Sequence, residues 1–294
     1  MAAVLAWTGG AAARAEKEEE KREMTGKAKI ETVAADDFTM DYFRFGHGEQ
    51  TLVILPGLSV ESVMKFADTV ASAYASFEEE FTVYVLDRRK ELPPVYPVRD
   101  IARDTAAALR ALGLDGICLF GASQGGMIAM RLAIEHPDLV SKLILGSTSS
   151  HITEEQYRVI DGWVRLARAG KAEELYLAFG QAIYPQQVYE QAKGLLTESA
   201  KGVTEEDLRR FVILAEGIRG FDVTDQLGKI ACPVLVIGSA DDRVLGSEAS
   251  ETIAEALQDR PECELYLYDG YGHAVYDLAP DYKQRMLNFF TRER

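Results

Sequence analysis

One short stretch of this chain has residue types and spacing that could activate a hydroxyl group: Gly121-Ala122-Ser123-Gln124-Gly125, followed by Gly126. A serine on a sharp strand-to-helix turn projects its Oγ clear of the backbone. Gly121 and Gly125 lack the Cβ atoms that would hold strand and helix apart at such a turn. The N-terminus of the following helix adds partial positive charge where an anion would develop. Outside that setting the pattern is a turn with an incidental serine. Inside it, the chemistry is nucleophilic attack on a carbonyl carbon.

A serine hydroxyl is a weak nucleophile and needs a base. The chain offers His47, His136, His151 and His273. His47 lies between two glycines before an apolar run, and reads as a loop residue. His136 precedes Pro137 at a helix end. His151 follows an apolar run, where it could line a pocket, but nothing orients it. His273 stands in Asp269-Gly-Tyr-Gly-His273, directly after the last strand-like run. Strands of a parallel sheet all end on one side, so the loops after them converge there. That makes His273 the candidate base.

A base of this kind needs a carboxylate to fix its tautomer and stabilise the imidazolium. Residues 234–237 lead into Gly238-Ser239-Ala240-Asp241-Asp242-Arg243-Val244. The adjacent carboxylates point in different directions, so one at most can serve. Asp242 is preferred, Asp241 is the alternative acid, and Arg243 reads as a salt-bridge partner or a solvated residue. The carbonyl oxygen of a transition state needs two converging N–H donors, each worth roughly 10²–10³ in rate. The Gln124 amide, just after the serine, supplies one. The loop Leu55-Pro56-Gly57-Leu58-Ser59 supplies the other through Leu58, with Gly57 permitting the turn.

Positioning these groups takes a framework, and the hydrophobic pattern provides it. Residues 30–33, 38–45, 51–55, 81–86, 117–120, 142–145, 234–237 and 263–268 read as strands. The runs at 51–55, 117–120, 142–145 and 234–237 are nearly continuous in apolar residues, as in strands covered on both faces. Residues 62–77, 98–112, 124–136, 247–258 and 280–291 read as helices between them. This alternation predicts an α/β fold with a mostly parallel central sheet and helices on both faces. Between Leu145 and Val234 no strand is convincing. Residues 151–170, 171–179, 185–197 and 204–218 read as helices, the last opening on a Thr204…Asp207 cap. A structureless loop of that length is implausible. The expected division is an N-terminal tail over 1–29, disordered or partly helical, a core over 30–150 and 221–294, and an inserted helical cap over 151–220.

Taken together, these pieces resemble the α/β-hydrolase fold family over about residues 30–290. The resemblance rests on Gly121-Ala-Ser-Gln-Gly125, on Asp242 and His273 after successive strands, and on the chain order Ser, Asp, His. It implies Ser123 as nucleophile, His273 as base, Asp242 as orienting acid, Leu58 and Gln124 as oxyanion donors, and the insert as a lid. One departure shows. Many members carry His-Gly at the oxyanion loop, where this chain has Pro56-Gly57. A serine nucleophile also disfavours haloalkane dehalogenase chemistry, which uses Asp at that position.

Composition bounds the partners. The 294 residues are 47% hydrophobic and 27% charged, which excludes a disordered or collagen-like chain. The formal net charge of −15 argues against nucleic acid and against anionic membrane surfaces. Three scattered cysteines, Cys118, Cys232 and Cys263, make no disulfide framework, and four histidines without i,i+4 pairing give no metal signature. No cofactor or metal is expected. The expected partner is a small-molecule acyl substrate, with a homodimer left open. The expected location is cytoplasmic. The alternative is export by an imperfect signal within residues 1–23, where the apolar part is short and no positive charge precedes it. The expected reaction is hydrolysis of a small ester or thioester. C–C bond hydrolysis of a diketone, amide or peptide cleavage, acyl transfer and a ligand receptor with a slow triad stand as alternatives. Trp163, Leu166, Tyr176, Leu177, Phe179, Ile183 and Tyr184 of the insert are the candidate pocket-lining residues.

Overall fold

The computed structural model describes residues 28–260 and 262–292, so the expectations for residues 1–27 lie outside it. Eight strands form one sheet: β1 (Ile30–Ala35), β2 (Phe38–Phe45), β3 (Gln50–Leu55), β4 (Phe81–Arg89), β5 (Ile117–Ala122), β6 (Val140–Gly146), β7 (Val234–Ser239) and β8 (Cys263–Tyr268). Their order is β1-β2-β4-β3-β5-β6-β7-β8. β1 and β2 pair antiparallel, β2 joins β4 antiparallel, and every pairing from β4 to β8 is parallel. The carboxyl ends of β3, β4, β5, β6, β7 and β8 therefore open on one rim.

The apolar runs of β3 and β5 explain why they sit centrally. Val53 and Leu55 of β3 face one apolar cluster, and Leu52 and Ile54 face another on the opposite side. In β5, Ile117 and Leu119 divide from Cys118 and Phe120 in the same way. Side chains alternate along a strand, so a strand covered on both faces must be apolar at every position. The first face is covered by α2 (Val98–Ala111) and α3 (Gln124–Glu135). In α2, Ile101, Thr105 and Ala108 are all buried, as their helical spacing predicts. The second face is covered by α1 (Ala67–Ala73), α9 (Val275–Leu278) and α10 (Tyr282–Thr291).

Four helices stand between β6 and β7: α4 (Glu154–Arg168), α5 (Ala172–Ile183), α6 (Gln186–Ala200) and α7 (Glu205–Glu216). Their buried residues join the same apolar cluster as α2 and α3, so the insert is packed onto the core. Thr204 caps α7 with Asp207 answering it, as the sequence implies. α8 (Glu248–Ala256) follows β7.

Some boundaries differ from the sequence reading, each for a local reason. The stretch 62–77 is not one helix. Phe66, at φ −119° and ψ 18°, leaves the helical region, so a 3-10 turn, α1 and a second 3-10 turn replace it. The first insert helix begins at Glu154 because Thr153 and Gln156 form a capping box, and His151 precedes it in an isolated bridge with Asp222. The last helix begins at Tyr282. Ahead of it, Ala279 is extended (ψ 125°), as a residue before proline prefers. β4 continues to Arg89, which carries Asp87, Arg88 and Arg89 into the sheet.

Candidate active site

The loop after β5 holds Ser123 at φ 52° and ψ −119°, a conformation that costs a non-glycine residue about 1–3 kcal/mol. Its neighbours over-determine it. A Cβ on Gly121 would come within 2.4 Å of the Gly125 carbonyl oxygen, and one on Gly125 within 2.0 Å of the Leu55 carbonyl oxygen. Only glycine fits at either place. The Ser123 amide donates to Gly146 O at 2.8 Å, and Thr148 Oγ1 donates to Ser123 O at 2.7 Å. Thr148 was not foreseen, because nothing in Ser147-Thr148-Ser149-Ser150 marks it as a brace for a turn 25 residues earlier.

Ser123 Oγ donates to Nε2 of His273 at 3.0 Å. The other ring nitrogen, Nδ1, donates to Oδ2 of Asp242 at 2.7 Å. The carboxylate assigns that tautomer, since only a protonated Nδ1 can donate to it. His273 is 3% exposed. Oδ1 of Asp242 accepts from the Val244 and Leu245 amides at 2.8 and 3.0 Å, which leaves Oδ2 fixed toward the ring. The rings of His273 and Tyr276 meet edge to face at 6.4 Å.

Asp241 takes a different task. It accepts from Ser239 Oγ at 2.6 Å and from the Gly270 and Gly272 amides at 3.2 and 3.1 Å. It ties down the loop that carries His273 and does not contact the ring as the alternative acid would. Burial pushes its carboxyl upward, but the bonds from Ser239, Gly272 and Gly270 outweigh that and hold it below the usual carboxylate value. Arg243 is exposed, as its solvated reading expected, and no ion pair with an acid is seen for it among the described residues. Its guanidinium donates to the Tyr184 carbonyl at the end of α5. The Ala274 amide donates to Ile183 O at 3.1 Å in the same place.

The other histidines lie elsewhere. His47 sits 3.8 Å from Glu79 at the surface. His136 caps α3 beside Arg110. His151 is held near Asp222 and Thr224 at the root of the insert.

Leu58 is buried and lines the same cavity as Ser123 and His273. A Cβ on Gly57 would stand 3.1 Å from Ser123 Cβ, so the loop after β3 closes directly on the serine. Gln124 opens α3, where its amide has no partner within the helix. Its side chain is wholly buried, with Nε2 donating to Leu214 O of α7 at 2.7 Å and Oε1 accepting from Arg88 at 3.1 Å. Sequence reasoning had used only its backbone.

The cleft over Ser123 spans about 400 Å³ of space, open solvent included. Trp163, Phe179 and Ile183 line it, as expected of the insert, with Met127, Leu245 and Tyr276. A second chamber of about 410 Å³ shares Phe179 and Ile183 with it and reaches Tyr176, Tyr184 and Glu61. Glu61 accepts from Tyr176 Oη at 2.6 Å and from Lys65 at 2.9 Å. Leu166 and Leu177 pack against the apolar core instead. Among the described residues no group of acids, histidines or cysteines could hold a metal ion. Among the same residues, no helix is long and apolar enough to cross a membrane.

A parallel sheet with a serine on a strained turn, a histidine and an acid at successive strand ends, and a helical insert after β6 defines a hydrolase class. The sequence model of the alpha/beta hydrolase family matches residues 52–282, and the chain belongs to that family. Among similar proteins is RutD of Agrobacterium fabrum, a candidate carbamate hydrolase by its name, 28% identical over 73% of this chain and 84% of its own. Another is a 2-hydroxy-6-oxononadienedioate/2-hydroxy-6-oxononatrienedioate hydrolase of a Pseudomonas species, 27% identical over 84% of this chain and 90% of its own. The solved structure of MGS-M2, an alpha/beta hydrolase from a deep-sea metagenome, superposes with a TM-score of 0.79 at 21% identity, over 90% of this chain and 98% of the other. With hydrolases as its relatives, the chain is an enzyme of hydrolytic type.

Proposed function

We propose that this hydrolase cleaves esters or thioesters of small, uncharged, apolar carboxylic acids through an acyl-enzyme on Ser123, with His273 as base and Asp242 as orienting acid. One observation carries the reading: the unbroken hydrogen-bonded line from Ser123 Oγ through both nitrogens of His273 to Asp242. Ser123 Oγ attacks the carbonyl carbon while its proton passes to Nε2. The oxyanion forms against the Leu58 and Gln124 amides. The imidazolium protonates the leaving group, and water then attacks the acyl-enzyme with His273 again as base. The insert acts as the cap, shielding the acyl group from solvent.

The cavity lining supports the acyl preference. Its walls are leucine, isoleucine, methionine, valine and aromatic residues, and among the described residues that line it there is no Lys or Arg. A dicarboxylate of the kind the Pseudomonas relative is named for would bury its charges there without partners, at a cost of several kcal/mol each. C–C bond hydrolysis of such an acid is therefore disfavoured against ester cleavage.

The test is covalent labelling by a fluorophosphonate probe in the wild type and in Ser123→Ala, with turnover of p-nitrophenyl butyrate beside p-nitrophenyl hemisuccinate, in which a carboxylate replaces the terminal methyl. The expected result is labelling abolished by the substitution and a butyrate preference of at least about tenfold. Full labelling of Ser123→Ala, or inertness toward every ester, overturns the reading. A ligand response without any turnover would point to a receptor instead.

A further inference from the structure

Behind the oxyanion loop lies a charge that this chemistry leaves unused. Arg88, near the end of β4, is 4% exposed. Its Nη2 donates to Pro56 O at 2.8 Å and to Gln124 Oε1 at 3.1 Å. Both acceptors are neutral. The nearby acids hold other groups: Asp87 accepts from Ser62 and Arg210, and Asp104 from Arg89, Arg103 and Tyr96. Burial draws the guanidinium pKa down to about 10, with Asp87 opposing that and Arg210 adding to it, so the group remains a cation at neutral pH. A cation buried against two neutral oxygens is unfavourable for folding, and an apolar side chain of similar length would fill the space at less cost.

The two oxygens belong to the segments that carry the two oxyanion donors. Pro56 O lies on the peptide group next to the Gly57–Leu58 peptide, whose N–H is the first donor. Gln124 carries the second donor on its own backbone, while its Nε2 reaches Leu214 O in α7. A single nitrogen of Arg88 thus joins both halves of the hole, and Gln124 extends the line to the insert.

Building on the serine-hydrolase reading, we propose that Arg88 is a positioning residue for the oxyanion hole. Through Pro56 O and the Gln124 carboxamide it holds the Leu58 and Gln124 amides at the spacing that a tetrahedral oxyanion requires. Its buried positive charge also favours that oxyanion from behind. Donors fixed in advance within a water-poor site act on the transition state and much less on the bound ester. The signature is a loss in kcat with KM nearly constant.

The experiment compares wild type, Arg88→Met, Arg88→Lys and Gln124→Met in the full chain. It reads kcat and KM on p-nitrophenyl butyrate. It also reads affinity for a trifluoromethyl ketone, which forms an oxyanion adduct on Ser123, and for the matching alcohol, which does not. Arg88→Met is expected to lose kcat by about 10- to 100-fold with KM within threefold. Ketone affinity falls by a similar factor while alcohol affinity stays constant. Arg88→Lys recovers part of the loss, since an ammonium keeps the charge but not the planar fork. Gln124→Met loses kcat by a smaller factor. Should Arg88→Met fail to fold, Arg88→Lys and Gln124→Met carry the same comparison. A kcat within twofold of wild type in the variants overturns the proposal, and so does an equal weakening of ketone and alcohol, which marks a collapsed pocket. A wild type that resists the fluorophosphonate, or an active Ser123→Ala, removes the serine reading itself. Normal labelling of the wild type with unaffected Arg88 variants removes the brace alone.

Discussion

Two strand ends on the same rim both present adjacent charged residues, and they use them in opposite ways. At the end of β7, Asp241 and Asp242 bond mostly to backbone amides, a neighbouring hydroxyl and one imidazole. At the end of β4, Asp87, Arg88 and Arg89 run to three separate elements: Arg210 of α7, the Pro56 loop with Gln124, and Asp104 of α2. The first end orients the His273 ring. The second ties the Pro56 loop and the insert to β4. Successive side chains leave β4 in different directions, so its neighbouring charges reach distant partners, whereas Asp241 and Asp242 diverge within the turn beyond β7. The first pair spends its charge locally and in part on chemistry, whereas the second spends it on assembly.

The largest expected effect falls on the first end. Asp242→Asn keeps the shape of the acid but removes its hold on the Nδ1–H tautomer, and kcat should fall by about 10⁴-fold with little change in melting temperature. Asp241→Asn should leave kcat within about tenfold. Steady-state kinetics on the two variants check this split. Equal losses would mean that both acids serve the base and would end the contrast.

Backbone crowding should give the next largest effect. Gly125→Ala forces a Cβ into the Leu55 carbonyl, and a loss of several kcal/mol, or failure to fold, is expected. In α4 and α6, Gly162 and Gly194 meet nothing within 4 Å of an added Cβ. Gly162→Ala and Gly194→Ala should stabilise by about 0.5–1 kcal/mol each in denaturant titrations. The tight elbow and the open helix faces thus respond with opposite signs.

At the second strand end, Arg210→Met should weaken the docking of α7. The pair Arg210–Asp87 is mostly shielded from water, and removing one partner leaves Asp87 with only Ser62. A loss of about 2–4 kcal/mol is expected by chemical denaturation. Proteolysis should appear first within residues 154–216. Uniform cleavage along the chain would show that α7 is held by apolar packing alone.

The contrast also explains what the sequence disclosed. The meeting of Ser123, His273 and Asp242 was legible because each follows a strand, and because strand-end loops of a parallel sheet must converge. Adjacency said only that one of the two acids could serve; the Asp242-Arg243-Val244 step favoured Asp242, and the amides of Val244 and Leu245 are what fix it. The insert was legible as four helices because its apolar spacing and the Thr204 cap are local signals. Arg88, Arg210 and the Gln124 side chain were not legible. Their partners lie 36, 123 and 90 residues away along the chain, and only the folded sheet, with α3 and α7 packed at the β4 end, brings them together. The strand reading ended at residue 86, so Asp87-Arg88-Arg89 was given no part, since a charged run is a surface feature unless something covers it.

The effect most diagnostic of the division of labour concerns pH. In the folded chain the Asp241 carboxyl lies below its ordinary value of 3.8. Its bonds to Ser239, Gly270 and Gly272 therefore stabilise the fold fully above the ordinary carboxylate range. That contribution fades as the pH falls through the lowered folded value, where the carboxyl protonates in both folded and unfolded chains. Asparagine keeps one acceptor oxygen but not the charge. Asp241→Asn should thus be less stable than wild type by about 1–2 kcal/mol at neutral pH. The gap should begin to narrow as the pH falls below the ordinary value of 3.8, and it should close only once the pH has passed the lowered folded value and the native carboxyl has lost its charge too. Melting curves of the two proteins across that range measure the gap directly. A gap that stays constant to low pH would mean that the loop is held by shape rather than by charge, and the two ends of the rim would then differ less than their residues suggest.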